Sequence, residues 1–231
     1  MERRTSVRSA VVWEAVQDVV RDQAAARIVD LGGGTGGGAR RLAPGGHPGA
    51  GGGPSPDARG AGGGRAHDAG VTIEAQQGDL NDLADLVEAG SCDLVLCHGV
   101  LGLLPDPGTA VGTLVAALRP GGVLSLVVNQ RHAAVVARAM AGHLAQAKTL
   151  LDGADEAGEH RFTADELSAL VEPHASSAQL QGVRVFTDLV PGTLVDLESG
   201  ASAALLELER AVAKRPEYLS LATRLHLLAP R

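Results

Sequence analysis

Apolar residues recur at helical spacing near the start of the chain. Six valines lie along one face of residues 7–23, which predicts an amphipathic helix. They are Val7, Val11, Val12, Val16, Val19 and Val20. The period then changes, because a short apolar run over 28–31 meets a glycine cluster and a helical pattern resumes at 39–43. This succession predicts a strand, a glycine-rich turn and a second helix.

Strand and helix patterns continue to alternate through the first half of the chain. Short strands are predicted within 71–80, 92–104 and 123–129, and helices over 84–90 and 105–118. Such alternation is typical of a doubly wound, Rossmann-like α/β sheet that is mostly parallel and has helices on both faces. Ligands of these sheets bind at the carboxyl ends of the strands, near the point where the strand order reverses.

The pattern changes after residue 130. Two helices, a strand, a helix and a final strand are predicted, over 132–151, 163–172, 182–190, 200–214 and 223–231. Thr163 and Glu166 have the spacing of a capping box. The last two strands would form a C-terminal antiparallel hairpin that closes the sheet. We therefore expect one domain over 1–231, with a core over about 24–130 and a substrate-side portion over about 131–231.

Composition narrows the classes of partner. A net charge of -7 argues against bulk attraction to the phosphate backbones of nucleic acids, so any such attraction would need a local basic patch. With only 2% aromatic residues, platforms for stacking the bases of single-stranded nucleic acid are not expected. Cys92 and Cys97 form neither a metal spacing nor a disulfide framework, which favours a reducing, cytoplasmic compartment and no metal. No signal peptide is evident, and no apolar run approaches the roughly 20 residues of a membrane span, so no membrane partner is expected.

The glycine cluster after 28–31 admits three interpretations. Gly32, Gly34 and Gly37 fit the dinucleotide fingerprint G-x-G-x-x-G, although so many glycines fit almost any spacing. The second interpretation is a glycine-rich turn that matters only for packing. The third rests on Asp30, because a carboxylate at the strand end repels a pyrophosphate and suits a cation. S-adenosyl-L-methionine (SAM) carries an ammonium and a sulfonium but no phosphate, and the loop amides would suit its carboxylate.

Three further motifs are more specific than the glycines alone. They are "IVDLGGGTGG" at 28–37, "CDLVLCHGVLGLLPDP" at 92–107 and "LRPGGVLSLVVN" at 118–129. In these motifs the chain resembles the class I SAM-dependent methyltransferases. With "VRSAVVW" at 7–13 and the tail at 182–226, it resembles in particular the methyltransferases that esterify 5-carboxymethoxyuridine in tRNA. The resemblance implies a SAM cofactor, methyl transfer to a carboxylate and a tRNA partner.

The resemblance also implies a set of cofactor-binding residues. Besides Asp30 they are Arg8, Gly32, Gly34, Asp79, Leu80 and His98. Arg8 would hold the cofactor carboxylate, Asp79 or its neighbour would lie near the adenine, and His98 would lie beside the cofactor after the fourth strand. Each of these three has another interpretation. Arg8 would otherwise be a solvated helix charge, Asp79 a turn or N-cap residue, and His98 a structural residue.

Substrate-binding candidates lie in the second half of the chain. Arg131 and His132 follow the fifth strand, where substrate loops of this fold lie. Arg184, flanked by valines, would either bind a substrate carboxylate or be an ordinary exposed strand residue. An ionised carboxylate acceptor needs no general base, so no catalytic residue is assigned and catalysis rests on proximity and orientation. For an amine or hydroxyl acceptor, His98 or His132 would be the first candidate base.

Residues 45–64 are unusually rich in glycine. Their flanks match the second strand and helix of the family, with Gly53 where an acidic ribose-binding residue belongs and 59–70 in place of a helix. Missing side chains would cost stability and weaken SAM binding. The alternatives are therefore a small-molecule methyltransferase, or a non-catalytic binding protein with an impaired SAM site. An NAD-dependent oxidoreductase is disfavoured by Asp30 and by "LRPGG".

Overall fold

The computed structural model describes residues 2–21, 23, 26–31, 64–68, 71–75, 87–153, 158–175, 177–197 and 199–231. The strands are β1 (Ile28–Leu31), β2 (Gly64–Asp68), β3 (Val71–Ala75), β4 (Cys92–His98), β5 (Leu118–Asn129), β6 (Gln179–Val183) and β7 (Arg224–Pro230). The α-helices are α1 (Glu2–Val20), α2 (Pro107–Ala117), α3 (Arg131–Met140), α4 (Leu144–Leu151), α5 (Ala164–Val171), α6 (Gly192–Leu197), α7 (Ala201–Val212) and α8 (Pro216–Leu219).

The strands form a seven-stranded sheet in the order β2-β3-β1-β4-β5-β7-β6. β1 is parallel to both β3 and β4, and β4 is parallel to β5. β7 is antiparallel to both β5 and β6, so β6 runs in the same direction as β5. The carboxyl ends of β1, β4, β5 and β6 therefore meet at one edge. The predicted Rossmann-like sheet, mostly parallel with a C-terminal antiparallel pair, is confirmed.

Alternate residues of β4 pack on opposite faces of the sheet. Val95 and Cys97 belong to the larger core cluster, together with apolar side chains of α2 and α5. Leu94 and Leu96 belong to a second cluster that contains Val16 of α1. All five side chains are fully buried. The valine face of α1 thus covers one side of the sheet while α2 and α5 cover the other, because each helix buries one apolar stripe.

The "LRPGG" motif lies at the start of β5, and its two glycines are needed for different reasons. Gly121 has a φ of +77°, which favours glycine because other residues have a Cβ that clashes there. A Cβ on Gly122 would lie 2.7 Å from the carbonyl oxygen of Cys92. The backbone of β5 therefore approaches β4 too closely at Gly122 for any side chain.

The capping box predicted for α5 is confirmed. The Glu166 N–H donates to Thr163 Oγ1 at 3.2 Å, and the Thr163 N–H donates to Glu166 Oε2 at 2.8 Å. α2 has a similar start, where the Thr109 N–H donates to Asp106 Oδ1 at 3.1 Å. These side chains satisfy backbone donors that the first helical turn leaves without intrahelical partners.

The single helix predicted over 132–151 is wrong, because the chain forms α3 and α4 instead. Gly142 follows α3 with a φ of +80°. The His143 N–H donates to the Arg138 carbonyl at 2.9 Å and the Gly142 N–H donates to the Ala139 carbonyl at 3.0 Å, which is a Schellman C-cap. Gly142 was thus a stop signal that the apolar periodicity on either side obscured.

Other predicted elements also differ from the structure. The strand predicted over 182–190 ends at Val183, because Arg184 leaves the extended conformation with a φ of 62°. The family pattern has an amphipathic helix at 59–70. That expectation is wrong at 64–68, where the backbone forms β2 and gains hydrogen-bond partners in antiparallel β3. Within the helix predicted over 84–90, residues 87–90 are not helical. The second strand expected near Gly53 lies outside the described residues.

Candidate functional site

Polar residues from five strands lie in a row along the edge where the carboxyl ends meet. Asp30, His98 and Asn129 lie at or near the ends of β1, β4 and β5. Arg184 directly follows β6, and Arg224 begins β7 opposite Asn129. Neighbouring strands are about 4.8 Å apart, so the row spans on the order of 20 Å. It brings two predicted cofactor residues to the same edge as Arg184, the predicted substrate residue.

Asp30 places a carboxylate at one end of this row. Its side chain is 5% exposed and lies close to Cys97. Burial, and then the charge of Asp30, raise the pKa of the Cys97 thiol to about 12. A nearly buried negative charge fits a ligand that carries an ammonium or sulfonium group and disfavours a phosphate. The other residues predicted around the cofactor, Gly32, Gly34, Asp79 and Leu80, lie outside the described residues.

His98 lies at the end of β4, half-buried against α1. Its Nε2 is 2.8 Å from Ser125 Oγ, and its ring meets the Trp13 ring edge-on at a centroid distance of 5.7 Å. Burial, and then the nearby charge of Arg224, lower the pKa of His98 to about 4. The imidazole is therefore neutral at physiological pH, with Nε2 occupied by a protein partner.

Arg184 and Arg8 share one carboxylate. Arg184 Nη2 lies 2.6 Å from Asp188 Oδ2, and Arg8 Nη2 lies 3.3 Å from Asp188 Oδ1. The Arg184 side chain is 20% exposed and that of Arg8 is 49% exposed. Thr223 Oγ1 donates to the Arg184 carbonyl at 3.1 Å, which supports the unusual backbone conformation of Arg184. Residues predicted separately for cofactor and for substrate are thus brought together at Asp188.

Three guanidinium groups near this edge have buried atoms without acceptors. The Nε atoms of Arg161, Arg184 and Arg224 are all buried without a hydrogen-bond partner. Arg161 and Arg184 at least pair through other nitrogens, with Glu159 and Asp188. Arg224 makes no ion pair in the part of the chain that the structure describes. Its pKa is lowered by burial and by Arg184, while Glu159 and Asp188 act in the opposite direction. A half-buried guanidinium whose Nε has no acceptor favours binding of an anion.

A cavity of about 350 Å³ is lined by Arg161 and by Asp188, the ion-pair partner of Arg184. Arg161, Asp188 and Thr223 contribute polar atoms to its wall. Much of the remaining wall is apolar and comes from α3 and two loops, including Ala133, Ala137, Leu189 and Leu221. The cavity therefore suits a ligand that has an apolar body and an anionic group.

The residues predicted after β5 differ in their surroundings. Arg131 Nη1 lies 2.8 Å from Glu166 Oε1, and Arg131 Nη2 donates to the Arg161 carbonyl at 3.0 Å. Its guanidinium therefore ties α3 to α5 and to the segment that carries Arg161. His132 lies exposed in the first turn of α3. Both residues stay predicted substrate contacts, and Arg131 also has this internal role.

Glu209 is a buried residue that the sequence analysis missed. Its side chain is 1% exposed on α7 and accepts hydrogen bonds from the N–H groups of Val185, Phe186 and Thr187 at 2.7–3.0 Å. Thr187 Oγ1 donates a fourth, at 2.6 Å. The carboxylate thus holds the loop that follows Arg184. The sequence did contain a signal for this burial. Glu209 is three residues before Val212 and so lies on the same buried face of α7, where a charged residue is unusual.

Two kinds of feature are absent from the described ranges. No group of three or more His, Cys, Asp and Glu side chains there is arranged to hold a metal ion. None of the helices there is both long and apolar enough to cross a bilayer.

Comparisons with known proteins place this geometry in a family. The chain is 28% identical over 141 residues to the tRNA 5-carboxymethoxyuridine methyltransferase of Escherichia coli K12, a match that covers 59% of this chain and 53% of that protein. This chain thus matches about half the length of that curated relative. The same identity and coverage hold for the protein of that name in Escherichia coli O157:H7.

Solved structures share the fold at low sequence identity. A SAM-dependent methyltransferase from Mesorhizobium loti superposes with a TM-score of 0.54 at 20% identity, covering 97% of this chain and all of that one. The plantazolicin methyltransferase BamL, solved with S-adenosylhomocysteine (SAH), has a TM-score of 0.54 at 12% identity. That match covers 98% of this chain and 85% of the BamL chain. A family model described as a methyltransferase domain matches residues 8–174. The chain therefore belongs to the methyltransferase domain family, as its motifs predicted.

Proposed function

We propose that this protein is a SAM-dependent methyltransferase whose acceptor is a carboxylate. The family assignment supports the class of reaction, and the matched tRNA methyltransferases of Escherichia coli support the modified wobble uridine of tRNA as the acceptor. The observation that carries the acceptor class is Arg224, a half-buried residue beside Arg184. Its Nε is buried without a hydrogen-bond partner, and it makes no ion pair among the described residues.

The residues at the other end of the row suit the cofactor. SAM supplies an electrophilic methyl group on a sulfonium when it is bound. Asp30 would hold a cationic group of the cofactor. The resemblance assigns the cofactor carboxylate to Arg8, which the structure places toward the Arg184 end of the row through its pair with Asp188. His98 would lie beside the cofactor, with Gly32, Gly34, Asp79 and Leu80 completing the site as the resemblance implies. Asp30 also explains why a dinucleotide is the poorer fit, because its charge would repel a pyrophosphate.

The acceptor would be held rather than chemically activated. Arg184 and Arg224 would neutralise and orient an ionised carboxylate, and Arg161 lines the cavity whose wall also includes Asp188, the partner of Arg184. A carboxylate is deprotonated at neutral pH, so no residue need remove a proton from it. His98 is poorly suited to that task anyway, because Nε2 already contacts Ser125. Positioning is then the main contribution of the protein.

A small carboxylate with an apolar body is the second candidate acceptor. The specific observation that favours it is the largely apolar wall of the cavity beside Arg161. A net charge of -7 also gives tRNA no bulk electrostatic attraction, so tRNA binding would depend on the local arginines. The cytoplasmic location predicted from Cys92 and Cys97 stays a prediction. Both side chains are buried, and neither forms a disulfide within the described residues.

The first experiment is thermal unfolding with and without SAM. A ligand-dependent rise in Tm is expected because SAM binds only the folded state. A folded protein whose Tm does not respond would instead support the non-catalytic alternative.

The acceptor is tested by incubation with labelled SAM and tRNA that contains 5-carboxymethoxyuridine, or a panel of small carboxylates. Alkali should release the label as methanol, because the product is a methyl ester. Label that resists alkali would contradict a carboxylate acceptor.

Arg224→Gln and Arg184→Gln should raise KM for the acceptor about tenfold or more, as expected for loss of a charge-assisted hydrogen bond. Arg224→Gln should leave Kd for SAM unchanged, because Arg224 does not share Asp188 with Arg8. Arg215→Gln, at an exposed position, is the matched control. Arg224→Lys keeps the charge but lacks the Nε donor, so its KM for the acceptor should lie between those of the wild type and Arg224→Gln. An unchanged KM in a folded Arg224→Gln protein would refute the assignment.

A further inference from the structure

Four polar side chains cross four neighbouring strands beneath α1. Ser125 and His226 are fully buried, and Gln181 is 6% exposed. Ser125 Oγ lies 2.8 Å from His98 Nε2 and 2.9 Å from His226 Nε2, and His226 Nδ1 lies 2.6 Å from Gln181 Nε2. Gln181 Nε2 also donates to the backbone carbonyl of Val11 at 3.4 Å. The result is one chain of hydrogen bonds from α1 to the edge residue His98.

The Val11 carbonyl sets the direction of this chain, because a carbonyl can only accept. The Gln181 group that faces it must be the NH2, so Gln181 also donates to His226 Nδ1. Nδ1 of a neutral ring that accepts carries no proton, so the proton of His226 lies on Nε2. His226 therefore donates to Ser125 Oγ.

The same logic continues to the edge of the sheet. Ser125 Oγ accepts from His226, so its own hydrogen is directed to His98 Nε2. His98 Nε2 is then an acceptor, and the proton of His98 lies on Nδ1. Both rings are neutral as this requires, because burial lowers the pKa of His98 to about 4 and that of His226 to about 3.

His98 Nδ1 lies at the end of this series of hydrogen bonds. It makes no hydrogen bond with any residue in the described part of the protein, and the ring keeps some exposure at the edge that carries Asp30. A neutral N–H there is a donor whose direction is fixed by buried partners.

We propose that Gln181, His226 and Ser125 are positioning residues that hold His98 as the Nδ1–H tautomer, so that His98 donates a hydrogen bond to an acceptor atom of the bound cofactor. The ligand in this inference rests on the proposed function, whereas the tautomer does not. It follows that His98 is a fixed donor and not a general base.

The test combines a structural and a binding measurement. Long-range ¹H–¹⁵N NMR of histidine-labelled protein shows which ring nitrogen is protonated. In the wild-type protein we expect Nδ1–H for His98 and Nε2–H for His226. In Ser125→Ala, His98 should lose this preference and Kd for SAH should rise about fivefold, the effect of weakening one neutral hydrogen bond. Ser168→Ala removes a half-buried serine hydroxyl on α5 and should change neither result.

Each outcome decides one part of the inference. Nε2–H for His98 in the wild-type protein, or an unchanged tautomer in Ser125→Ala, would overturn the proposed direction. A lost tautomer preference with an unchanged Kd for SAH would overturn the positioning role. Wild-type protein with the expected tautomers that fails to bind SAH would refute the proposed function and leave the hydrogen-bond chain intact. Gln181→Met removes the donor at the other end and provides the same readouts if Ser125→Ala does not fold.

Discussion

Mild acid should destabilise this protein strongly, because His226, which is fully buried, and His98, which is half-buried, are both held as neutral rings. The His98 and His226 centroids are 6.0 Å apart. Burial lowers the pKa of His98 to about 4, with Arg224 adding to the effect, and lowers that of His226 to about 3, with His98 adding to it. In the unfolded chain both would titrate near a pKa of about 6.5.

The sign and the size follow from proton linkage. Between the two sets of pKa values the unfolded chain binds more protons than the folded protein, so the free energy of unfolding falls as pH falls. The stability is fully present above about pH 6.5 and is lost progressively down to the folded pKa values. Going from about pH 7.5 to about pH 5 should cost about 2 kcal/mol for each histidine, or about 4 kcal/mol together. A domain has only about 5–15 kcal/mol to lose.

Urea unfolding at the two pH values measures this loss directly. His226→Gln should lose about half of the pH dependence, because one of the two titrating rings is gone. His132→Gln removes an exposed histidine and should keep the full dependence. The reasoning is refuted if the wild-type free energy of unfolding is the same at both pH values, or if His226→Gln depends on pH as strongly as the wild type does.

Two further predictions concern buried groups away from the histidines. Glu209→Gln should lower the free energy of unfolding by about 1–3 kcal/mol, because the NH2 of the new side chain would face a backbone N–H that in the wild type donates to the carboxylate. Glu207→Gln changes an exposed residue of the same helix and should leave the free energy of unfolding unchanged. Equal urea midpoints for the two variants would contradict this role of Glu209. Cys97 should not react with a thiol reagent at about pH 8 in the folded protein, because its pKa is raised to about 12 and its side chain is fully buried. Rapid labelling of the native protein at Cys97 would count against this, and labelling in urea is the positive control.

Much of the fold could be predicted from local sequence patterns. The valines of α1, the capping box of α5 and the apolar runs of β4 and β5 each act over a few residues, so their signals survive in sequence. Gly142 and Arg184 show where such signals fail. The stop at Gly142 was hidden between two helical patterns, and the left-handed conformation of Arg184 depends on Thr223 and on the loop that Glu209 holds.

The candidate site was predictable only in part. Arg8 and His98 were predicted from the family motifs. Asp30 was predicted from its charge at a strand end and Arg184 from its place between two valines. All four lie near one edge of the sheet. Arg224 was missed because nothing in its local sequence distinguishes it from an ordinary strand arginine. Its Nε is buried without a hydrogen-bond partner among the described residues because β7 pairs with β5 and β6, which is a long-range property.

The sequence by itself determined the general alternation of strands and helices, the capping box of α5 and the motifs of a methyltransferase, because these depend on neighbours along the chain. Only the tertiary structure decided which distant side chains meet. Ser125 and His226 are 101 positions apart, and Arg8 and Asp188 are 180 positions apart. Their contacts depend on strand register and helix packing, because a shift of one residue turns a side chain to the other face of the sheet.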